Sequence, residues 1–364
     1  MTADTHIVHV ALGERSYDIE IGAGNLARIA EFISARRRLS HAVVITDANV
    51  VEPYAKIVVE NIQAAGAKVD LLSIPAGETQ KSMASADLLW RQMLAVGADR
   101  KSIVVAVGGG VIGDLAGFIA ATYTRGLAFV QIPTTLLAHV DSSVGGKVGI
   151  NLPGAKNMVG AFWQPAGVLI DTNVLNTLPE REYRAGLAEV VKYGVILDAD
   201  FFAYLEKNVS LINQRDAATL RYIVGRCCRL KADVVEKDER EESGLRAVLN
   251  YGHTFCHAIE AVTGYGEYLH GEAVSIGMIC ASRLAELLQR VDADFTQRQR
   301  TLLAALGLPV QVPQLDHEQL IAAMQHDKKV EHGKLRFILP TRMGHVELVG
   351  GVPPDLVREA LRTA

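Results

Sequence analysis

The chain has 364 residues, of which 49% are hydrophobic and 21% are charged, so it is long enough to form two domains with separate apolar cores. Its formal net charge of −4 excludes the strongly basic character of proteins that bind nucleic acid or anionic membranes through charge, so we expect neither partner. The stretch from Met1 to His6 lacks a basic segment followed by an apolar run, so we expect no targeting peptide and a cytoplasmic protein.

The first half of the sequence alternates strand-like and helix-like segments. Residues 6–21 alternate apolar and polar side chains around Gly13 and Glu14, which predicts an antiparallel hairpin. Apolar, β-branched stretches then follow near residues 42–46, 69–74, 103–107 and 128–132. Because helix-like segments separate them, we predict an α/β fold whose N-terminal domain is Rossmann-like, with a parallel sheet.

The strand near residues 103–107 ends in a glycine-rich turn. Gly108, Gly110 and Gly113 fit the pattern GxGxxG, in which backbone amides at a helix N-terminus approach a pyrophosphate. The pattern is weak evidence by itself, because the acidic residue usually found about twenty positions later is missing. Asp47, at the end of an earlier strand, and its neighbour Asn49 are alternative candidates to bind a ribose. A carboxylate there would repel a 2′-phosphate, which favours NAD over NADP.

The segment from Ile103 to Tyr123 is long and apolar enough to be compared with a membrane span. Three consecutive glycines and the central carboxylate of Asp114 argue against that interpretation. We therefore expect no membrane insertion.

A second glycine-rich segment, residues 140–157, carries Lys147 and Lys156. Flexible backbone amides together with two ammonium groups suit a phosphate or another anion. A mobile, solvated loop would have the same composition, so this segment leaves both interpretations open. Further positive charge could come to the same place from Arg125, Lys192, Lys231, Arg246 and the pair Lys328 and Lys329.

From about Leu178 onward the pattern is mainly helical, and it ends with a short strand at residues 335–339 and a helix after Pro353 and Pro354. We therefore predict two consecutive domains, an α/β domain over residues 1–177 and a mainly α-helical domain over residues 178–364.

The second domain contains a polar stripe. If residues 246–260 form a helix, Arg246, Asn250, His253, His257 and Glu260 recur at intervals of four and three and share one face. The rest of that helix is largely apolar, so the stripe indicates the wall of a polar cavity. Two histidines four residues apart can also occur in a buried helix where they only form hydrogen bonds, so this pair alone does not establish a metal site.

Glu189 and His270 extend the histidine pair to a candidate metal site. Glu189 and Lys192 are three residues apart and could form an ordinary ion pair on a helix. Alternatively, Glu189 supplies an oxygen ligand while His253 and His270 supply nitrogens, which leaves an open position as in catalytic zinc sites. The four cysteines form no CxxC pair, so we expect buried, reduced thiols and no thiolate zinc site.

Taken together, these motifs resemble the 3-dehydroquinate synthase family of sugar phosphate cyclases. The resemblance follows the chain in order through Thr-Asp-Ala-Asn at 46–49, Gly-Gly-Gly-Val-Ile-Gly-Asp at 108–114, Pro-Thr-Thr at 133–135, Val-Asp-Ser-Ser-Val-Gly-Gly-Lys at 140–147, Gly-Leu-Ala-Glu-Val-Val-Lys at 186–192, Asn-Tyr-Gly-His-Thr-Phe at 250–255 and Asp-Lys-Lys at 327–329. Several long motifs in one order are far more specific than any one of them.

The resemblance implies a homodimer that uses NAD and a divalent metal, usually zinc, with cobalt as an alternative. It implies that Glu189, His253 and His270 hold the metal. The residues that it implies for NAD are Asp47, Asn49, Glu78, Lys81, Gly109, Gly110, Val111, Asp114, Thr134, Thr135, Lys147, Lys156 and Thr177. Those that it implies for the phosphate of the substrate are Lys147, Asn157, His257 and, from a second subunit, Arg125. Those that it implies for the carboxylate and hydroxyls are Asp141, Lys156, Lys192, Lys231, Arg246, Asn250 and Lys328.

The activity that the resemblance implies belongs to the shikimate pathway of aromatic amino acid biosynthesis. The substrate is a sugar phosphate, 3-deoxy-D-arabino-heptulosonate 7-phosphate, and the products are 3-dehydroquinate and phosphate. Transient oxidation of the C5 hydroxyl by NAD acidifies the neighbouring proton, phosphate leaves by β-elimination, the ketone is reduced again, and an aldol closure forms the carbocycle. The departing phosphate can itself take up the proton, so we assign no protein base and expect His257 to bind phosphate or shuttle a proton.

The chain departs from the family pattern at two places. Cys256 stands where the family commonly has glycine, and residues 236–243 are one residue longer than in many members, close to Lys231 and Glu241.

Other functions share parts of the pattern. A metal-dependent polyol dehydrogenase would also use a metal and NAD, a sister cyclase would apply the same chemistry to another sugar phosphate, and a non-catalytic relative would only bind the nucleotide.

Overall fold

The structure, a computed structural model, describes residues 5–264, 266–325 and 335–364. The strands are β1 (His6–Val10), β2 (Tyr17–Gly22), β3 (His41–Asp47), β4 (Lys68–Ile74), β5 (Ile103–Gly108), β6 (Ala128–Pro133), β7 (Lys147–Leu152), β8 (Ala155–Phe162), β9 (Gly167–Asp171), β10 (Arg336–Arg342) and β11 (His345–Gly350). The helices are α1 (Ile29–Ser34), α2 (Lys56–Ala64), α3 (Met83–Ala95), α4 (Gly110–Thr122), α5 (Glu180–Leu197), α6 (Ala199–Lys207), α7 (Val209–Asn213), α8 (Ala217–Lys237), α9 (His253–Val262), α10 (His270–Leu287), α11 (Ala293–Ala305), α12 (His317–Gln325) and α13 (Pro354–Thr363).

The chain divides into two compact units. The first contains Met1–Leu178 and Leu220–Arg240, and the second contains Pro179–Thr219 and Glu241–Ala364. The division differs from two consecutive domains that meet at residues 177 and 178, because most of α8 returns to the first unit. The contacts of α8 give the reason: the Cys228 thiol donates to the His139 carbonyl, and the Lys231 ammonium donates to the Asp141 carbonyl.

The first unit is built on a sheet whose described part has seven strands in the order β1-β2-β9-β6-β5-β3-β4. β1 and β2 pair antiparallel, as the alternating pattern of residues 6–21 predicts, and the other neighbours pair parallel. The central strands β3, β5 and β6 consist mainly of buried apolar side chains because helices cover both faces of a parallel sheet. The prediction of an α/β, Rossmann-like unit followed by a mainly helical region is confirmed.

The strand order reverses between β3 and β5. The chain leaves β3 for β4 on one side and then returns to β5 on the other side of β3. In open α/β sheets, ligands bind outside the carboxyl ends of the strands where the order reverses in this way. Asp47 ends β3 and Gly108 ends β5, so the two sequence signals for a nucleotide lie at this point of the sheet.

The glycine-rich segment 140–157 forms a hairpin for much of its length. β7 and β8 pair antiparallel, with Gly149 opposite Gly160. A Cβ atom on Gly160 would lie 2.2 Å from the Val148 carbonyl oxygen, so only glycine fits there. The hairpin packs against α4, where a Cβ on Gly117 would lie 2.3 Å from a methyl carbon of Val148. The two lysines therefore stand on paired strands and not on a mobile loop.

The second unit packs buried helices against one another at glycines. A Cβ on Gly271 of α10 would lie 1.8 Å from the Ala185 carbonyl of α5, and one on Gly277 would lie 2.2 Å from the Gly252 carbonyl. The predicted C-terminal strand and helix are present as β10 and α13, and β11 pairs with β10.

None of the helices in the described ranges is long and apolar enough to cross a membrane. The four cysteines are buried, free thiols, as the sequence predicts.

His139 should make the stability of the chain depend on pH. Its ring is fully buried and its Nε2 donates to the Pro133 carbonyl at 2.9 Å, and burial lowers the pKa of His139 to about 4. A neutral buried imidazole stabilises the fold fully above its unfolded pKa of about 6.5, and the contribution is lost as the pH falls towards 4. Between pH 7 and pH 5 this loss is about 2 kcal/mol.

The measurement is the fall in Tm between pH 7 and pH 5. His139→Gln keeps an amide donor for the Pro133 carbonyl but does not titrate, so its Tm should fall less than that of the wild type. His317→Gln is the control and should behave like the wild type. An equal fall in His139→Gln would contradict this assignment.

Candidate active site

The end of β3 carries the predicted ribose-binding residues. The Asp47 carboxylate accepts a hydrogen bond from the Asn49 backbone amide at 2.9 Å, while the Asn49 side chain is exposed. Burial raises the pKa of Asp47, although the backbone amides of Asn49 and Val50 oppose the shift. The carboxylate is therefore held by the local turn at the carboxyl edge of the sheet.

The turn after β5 has the close packing that a pyrophosphate site requires. α4 begins at Gly110, directly after the strand, so its first amides point to the same edge as Asp47. A Cβ on Gly109 would lie 3.0 Å from the Thr135 methyl group. The Thr134 amide donates to the Gly108 carbonyl at 3.0 Å. The predicted NAD residues Gly109, Gly110, Val111 and Asp114 thus belong to the turn after β5 and the first turns of α4. Thr134 and Thr135, directly after β6, lie beside that turn.

Thr177 lies farther along the same unit, in the short helical segment Thr172–Thr177. Its hydroxyl forms a hydrogen bond with Tyr54, and the Tyr54 hydroxyl also donates to the Val174 carbonyl at 3.1 Å. The sequence carries no signal for Tyr54, because a single tyrosine in a helical segment is ordinary.

Lys81 joins two predicted groups. Its side chain is 6% exposed, and its ammonium contacts both the Asp114 carboxylate and the Asn157 amide oxygen. Burial raises the pKa of Asp114, and the Lys81 ammonium opposes that shift. Lys81 and Asp114 are predicted to bind NAD, and Asn157 is predicted to bind the phosphate of the substrate. The structure therefore brings a predicted NAD-binding residue into direct contact with a predicted phosphate-binding residue.

Lys231 and Asp141 form a second polar pair in the first unit. The Lys231 ammonium lies 2.8 Å from the Asp141 carboxylate and donates to the Asp141 carbonyl at 2.6 Å. Because α8 delivers Lys231, no local sequence pattern connects the two. Their shared assignment to the substrate stays a prediction.

The other predicted charged residues of the first unit are more exposed. Lys147 begins β7 and is exposed, Lys156 on β8 is half-buried, and Glu78 is exposed in the turn before Lys81. Arg125 is exposed and, with Thr124, has a positive φ angle, 72° and 49° respectively. Two consecutive left-handed residues without glycine are strained, and such strain is common at functional sites.

Glu189, His253 and His270 meet in the second unit. The Glu189 carboxylate is completely buried in α5. Its Oε1 lies 3.5 Å from His253 Nε2 at the start of α9 and 3.8 Å from His270 Nε2 at the start of α10. Two atoms that each bind a tetrahedral zinc at about 2 Å lie about 3.3 Å apart, so these donors need only small movements to share one ion. The predicted trio therefore fits a metal.

The surroundings of Glu189 support the same conclusion. Neither of its oxygens accepts a well-aligned hydrogen bond from the described residues, while the Lys192 ammonium forms an ion pair with Oε2. A fully buried carboxylate needs compensating charge, and a divalent cation at Oε1 would supply more of it. The sequence left open whether Glu189 forms an ion pair with Lys192 or binds a metal. Both are compatible, because Lys192 contacts Oε2 while the two histidines lie near Oε1.

Hydrogen-bond partners at Nδ1 orient the rings of His253 and His270 so that each Nε2 faces Glu189. The His253 Nδ1 lies 3.1 Å from the Tyr251 carbonyl, and the His270 Nδ1 lies 3.4 Å from Glu260 Oε1. A proton on Nδ1 leaves Nε2 free to bind a metal, the usual arrangement around metal-binding histidines. Glu260 thus orients the His270 ring. The predicted polar face of residues 246–260 included Glu260 but did not indicate this role.

Cys256 fits into α9 without interrupting it. The helix runs from His253 to Val262, and Cys256 is completely buried with its sulfur 3.8 Å from His270 Nδ1. Burial raises the pKa of the Cys256 thiol, which keeps it protonated beside the metal position.

The predicted helix over residues 246–260 is wrong at one point. Residues Leu245–Asn250 form a 3-10 segment, Gly252 has a φ of 79°, and α9 begins only at His253. The break arises because α10 passes close by: a Cβ on Gly252 would lie 2.8 Å from the Met278 amide nitrogen. Arg246 and Asn250 therefore precede the helix and do not share its face.

The remaining candidates of the second unit lie on these elements. Arg246 is 2% exposed, with its Nε 3.6 Å from Glu241 Oε1, and Lys192 is buried in α5. Asn250 lines a small cavity with Thr254 and Arg336. His257 is half-buried one turn after His253, with ring centroids 5.7 Å apart. It belongs to neither of the two groups of potential metal ligands among the described residues. Lys328 lies outside the described residues.

Sequence comparison identifies related proteins over nearly the whole chain. The profile described as 3-dehydroquinate synthase N-terminal matches residues 71–185, and the one described as 3-dehydroquinate synthase C-terminal matches residues 186–330. The 3-dehydroquinate synthase of Rhodopirellula baltica is 52% identical over 99% of this chain and 98% of its own. The 3-dehydroquinate synthase of Desulforamulus reducens is 51% identical over 94% of this chain and 95% of its own.

Solved structures of sister enzymes have the same fold. A 2-epi-5-epi-valiolone synthase from Streptomyces hygroscopicus with NAD+ and Zn2+ superposes with a TM-score of 0.88 at 31% identity, covering 97% of this chain and 98% of the other. A 2-deoxy-scyllo-inosose synthase complexed with carbaglucose-6-phosphate, NAD+ and Co2+ has a TM-score of 0.87 at 28% identity, covering 98% and 99%.

The two histidines of α9 should differ in their effect on metal binding. We expect His253→Ala to weaken zinc binding at least about 100-fold, because even changes outside the ligand shell cost about 10- to 100-fold. His257→Ala, one turn away on the same helix, should retain the wild-type Kd. The measurement is competition with a chromophoric chelator, supported by the rise in Tm on adding zinc. Equal losses in the two variants would rule out the assignment of ligands.

Proposed function

The chain belongs to the 3-dehydroquinate synthase family, and we propose that it converts 3-deoxy-D-arabino-heptulosonate 7-phosphate to 3-dehydroquinate and phosphate. Identity of about half over almost the full length of curated relatives supports this reaction. The structural observation that carries it is the group of the buried Glu189 and His253 and the half-buried His270, whose donors are spaced for one metal ion. In reaction type the protein would be a carbon–oxygen lyase of the shikimate pathway.

We propose that NAD and a divalent metal, zinc or cobalt, are the cofactors. The sister cyclases solved with NAD+ and either Zn2+ or Co2+ support this choice. When bound, NAD would supply a reversible hydride acceptor, and a metal held by Glu189, His253 and His270 would supply a Lewis acid.

The first unit would bind the nucleotide and the phosphate. The amides at the start of α4 and the carboxylate of Asp47 suit a pyrophosphate and a ribose. Lys81 neutralises Asp114, so the carboxylate does not repel the diphosphate. Lys147, Lys156 and Asn157, all on the β7–β8 hairpin, would place ammonium and amide donors around the substrate phosphate.

The second unit would hold the metal and the oxygens of the substrate. Glu260 and the Tyr251 carbonyl keep the two ligand imidazoles oriented, so these residues act on the reaction through His270 and His253. Arg246 and Lys192 are cations buried beside carboxylates, Glu241 and Glu189, and Arg246 suits bidentate binding of the substrate carboxylate. Asn250 would offer amide groups to the hydroxyls.

His257 would bind the departing phosphate or move its proton. It is half-buried and lies on the same helix as the ligand His253, yet it is not one of the ligand group. An imidazole can donate to phosphate or accept a proton near neutral pH, so it suits either task.

Two other activities use the same parts. A sister cyclase with a different sugar phosphate has specific support from the structural likeness to the inosose and valiolone synthases, although these are only 28% and 31% identical. For a polyol dehydrogenase, the likeness to a probable glycerol dehydrogenase at 16% identity concerns the fold alone. A homodimer in which Arg125 reaches the phosphate bound by its partner, and a cytoplasmic location, stay predictions.

The reaction itself should release phosphate without lasting NADH. The zinc-loaded chain, given the heptulosonate 7-phosphate and catalytic NAD, should form phosphate and 3-dehydroquinate in equal amounts, because each hydride removed is returned. The measurement follows phosphate, carbocycle and absorbance of NADH together. Accumulating NADH without phosphate would point to a dehydrogenase, and turnover only of other sugar phosphates would point to a sister cyclase.

Replacing His257 should slow turnover without preventing cofactor binding. His257→Ala removes one hydrogen bond to a charged group, worth about 1.5–3 kcal/mol, so kcat/KM should fall about 10- to 150-fold. The Kd values for zinc and NAD serve as controls and should stay at the wild-type level. Full activity in this variant would remove His257 from the mechanism.

A further inference from the structure

Asn151 stands where three of the proposed binding residues meet. It lies in β7 at the shift of register between Ile150 and Leu152. Its backbone amide donates to the Lys81 carbonyl, its side-chain Oδ1 accepts from the Asn157 amide, and its Nδ2 donates to Glu78 Oε1, each at 2.8 Å. We propose that Asn151 is a positioning residue that holds Glu78, Lys81 and Asn157 in one arrangement, an inference that rests on the proposed function.

The two partners of the Asn151 side chain explain why an asparagine suits position 151. A backbone amide can only donate, so it must face an acceptor, and the Glu78 carboxylate can only accept, so it must face a donor. A carboxamide presents one of each at this separation. Aspartate would keep the contact with the Asn157 amide but would turn a second carboxylate towards Glu78.

The hydrogen bonds form a closed ring. The Asn151 amide binds the Lys81 carbonyl, the Lys81 ammonium contacts the Asn157 side chain, and the Asn157 amide returns to the Asn151 side chain. Asn157 has a φ of 57°, a left-handed conformation that asparagine tolerates better than most residues but that still needs support. The ring supplies this support, because it fixes both the amide and the side chain of Asn157.

The irregular register explains how a strand residue reaches these partners. A shift in an antiparallel pair bends the strand and turns a side chain away from the regular alternation, and such features are frequent beside active sites. Here the shift occurs between the pairs formed by Ile150 and Leu152, directly at Asn151.

One residue would thus couple two ligands. Glu78 and Lys81 are proposed to contact NAD, whereas Asn157 is proposed to contact the phosphate of the substrate. Loss of the ring should weaken both ligands together. A residue that only stabilises the fold would lower Tm and leave the two affinities unchanged.

The test measures the Kd for NAD and for inorganic phosphate on the full chain. Asn151→Asp should raise both values about tenfold, the effect of one or two lost hydrogen bonds. In a Glu78→Gln background the new amide can donate to the carboxylate introduced at position 151, so adding Asn151→Asp there should change the two Kd values by less than about threefold. Asn61→Asp is the control, since the Asn61 side chain donates to the Ile57 carbonyl within α2 and not to a proposed binding residue.

A second readout needs neither ligand. In Asn151→Ala the amide hydrogen of Asn157 should exchange with solvent at least about tenfold faster than in the wild type, because it loses its acceptor. Unchanged exchange, unchanged Kd values in Asn151→Asp, or an equal penalty in the Glu78→Gln background would each overturn the proposal. The two proposals can fail separately. If the wild type binds NAD and phosphate but has no turnover, while the variants show the expected changes in Kd and exchange, the proposed reaction is wrong but the role of Asn151 is supported.

Discussion

The buried carboxylate of Glu189 is the constraint on which the second unit depends. A charge without solvent is strongly unfavourable unless other groups compensate it, and three elements converge to do so. α5 supplies Lys192 for one oxygen, while the first turns of α9 and α10 bring His253 and His270 to the other. The helices can meet there because Gly271 lets the backbone of α10 touch α5. Close packing and the metal-binding geometry therefore have one origin.

The first unit depends on a different constraint. Chain segments approach each other closely at glycines, both in the turn after β5 and in the β7–β8 hairpin. Glycines after β5 leave room beside Thr135. Gly149 and Gly160 let the two strands of the β7–β8 hairpin approach closely, and Gly117 of α4 leaves room for the side chain of Val148. The same hairpin carries Asn151 and Asn157 to Lys81. Polar contacts that look unrelated along the chain thus form one network at the carboxyl edge of the sheet.

Sequence patterns predicted the helices and strands correctly where the local residue preference agreed with the packing that the folded chain requires. The buried strands β3, β5 and β6 are rich in β-branched and other apolar residues because helices cover both faces, and that composition is visible in the sequence. The helix over 246–260 failed because periodicity suggests one continuous helix, whereas the passage of α10 requires a left-handed Gly252. The segment 140–157 was ambiguous because its glycines suit either flexibility or tight strand pairing.

The sequence by itself determined the types of chemistry: a glycine turn after a buried strand, three side chains able to bind a metal and a set of lysines. Each is recognisable because residue type limits what a group can bind. Only the tertiary structure decided which of them meet. The pairs Lys231 with Asp141 and Lys81 with Asn157 are 90 and 76 residues apart, and Asn151 joins three residues that no spacing rule connects. Such contacts follow from the path of the chain through space, because hydrogen bonds act over about 3 Å and are indifferent to separation in sequence.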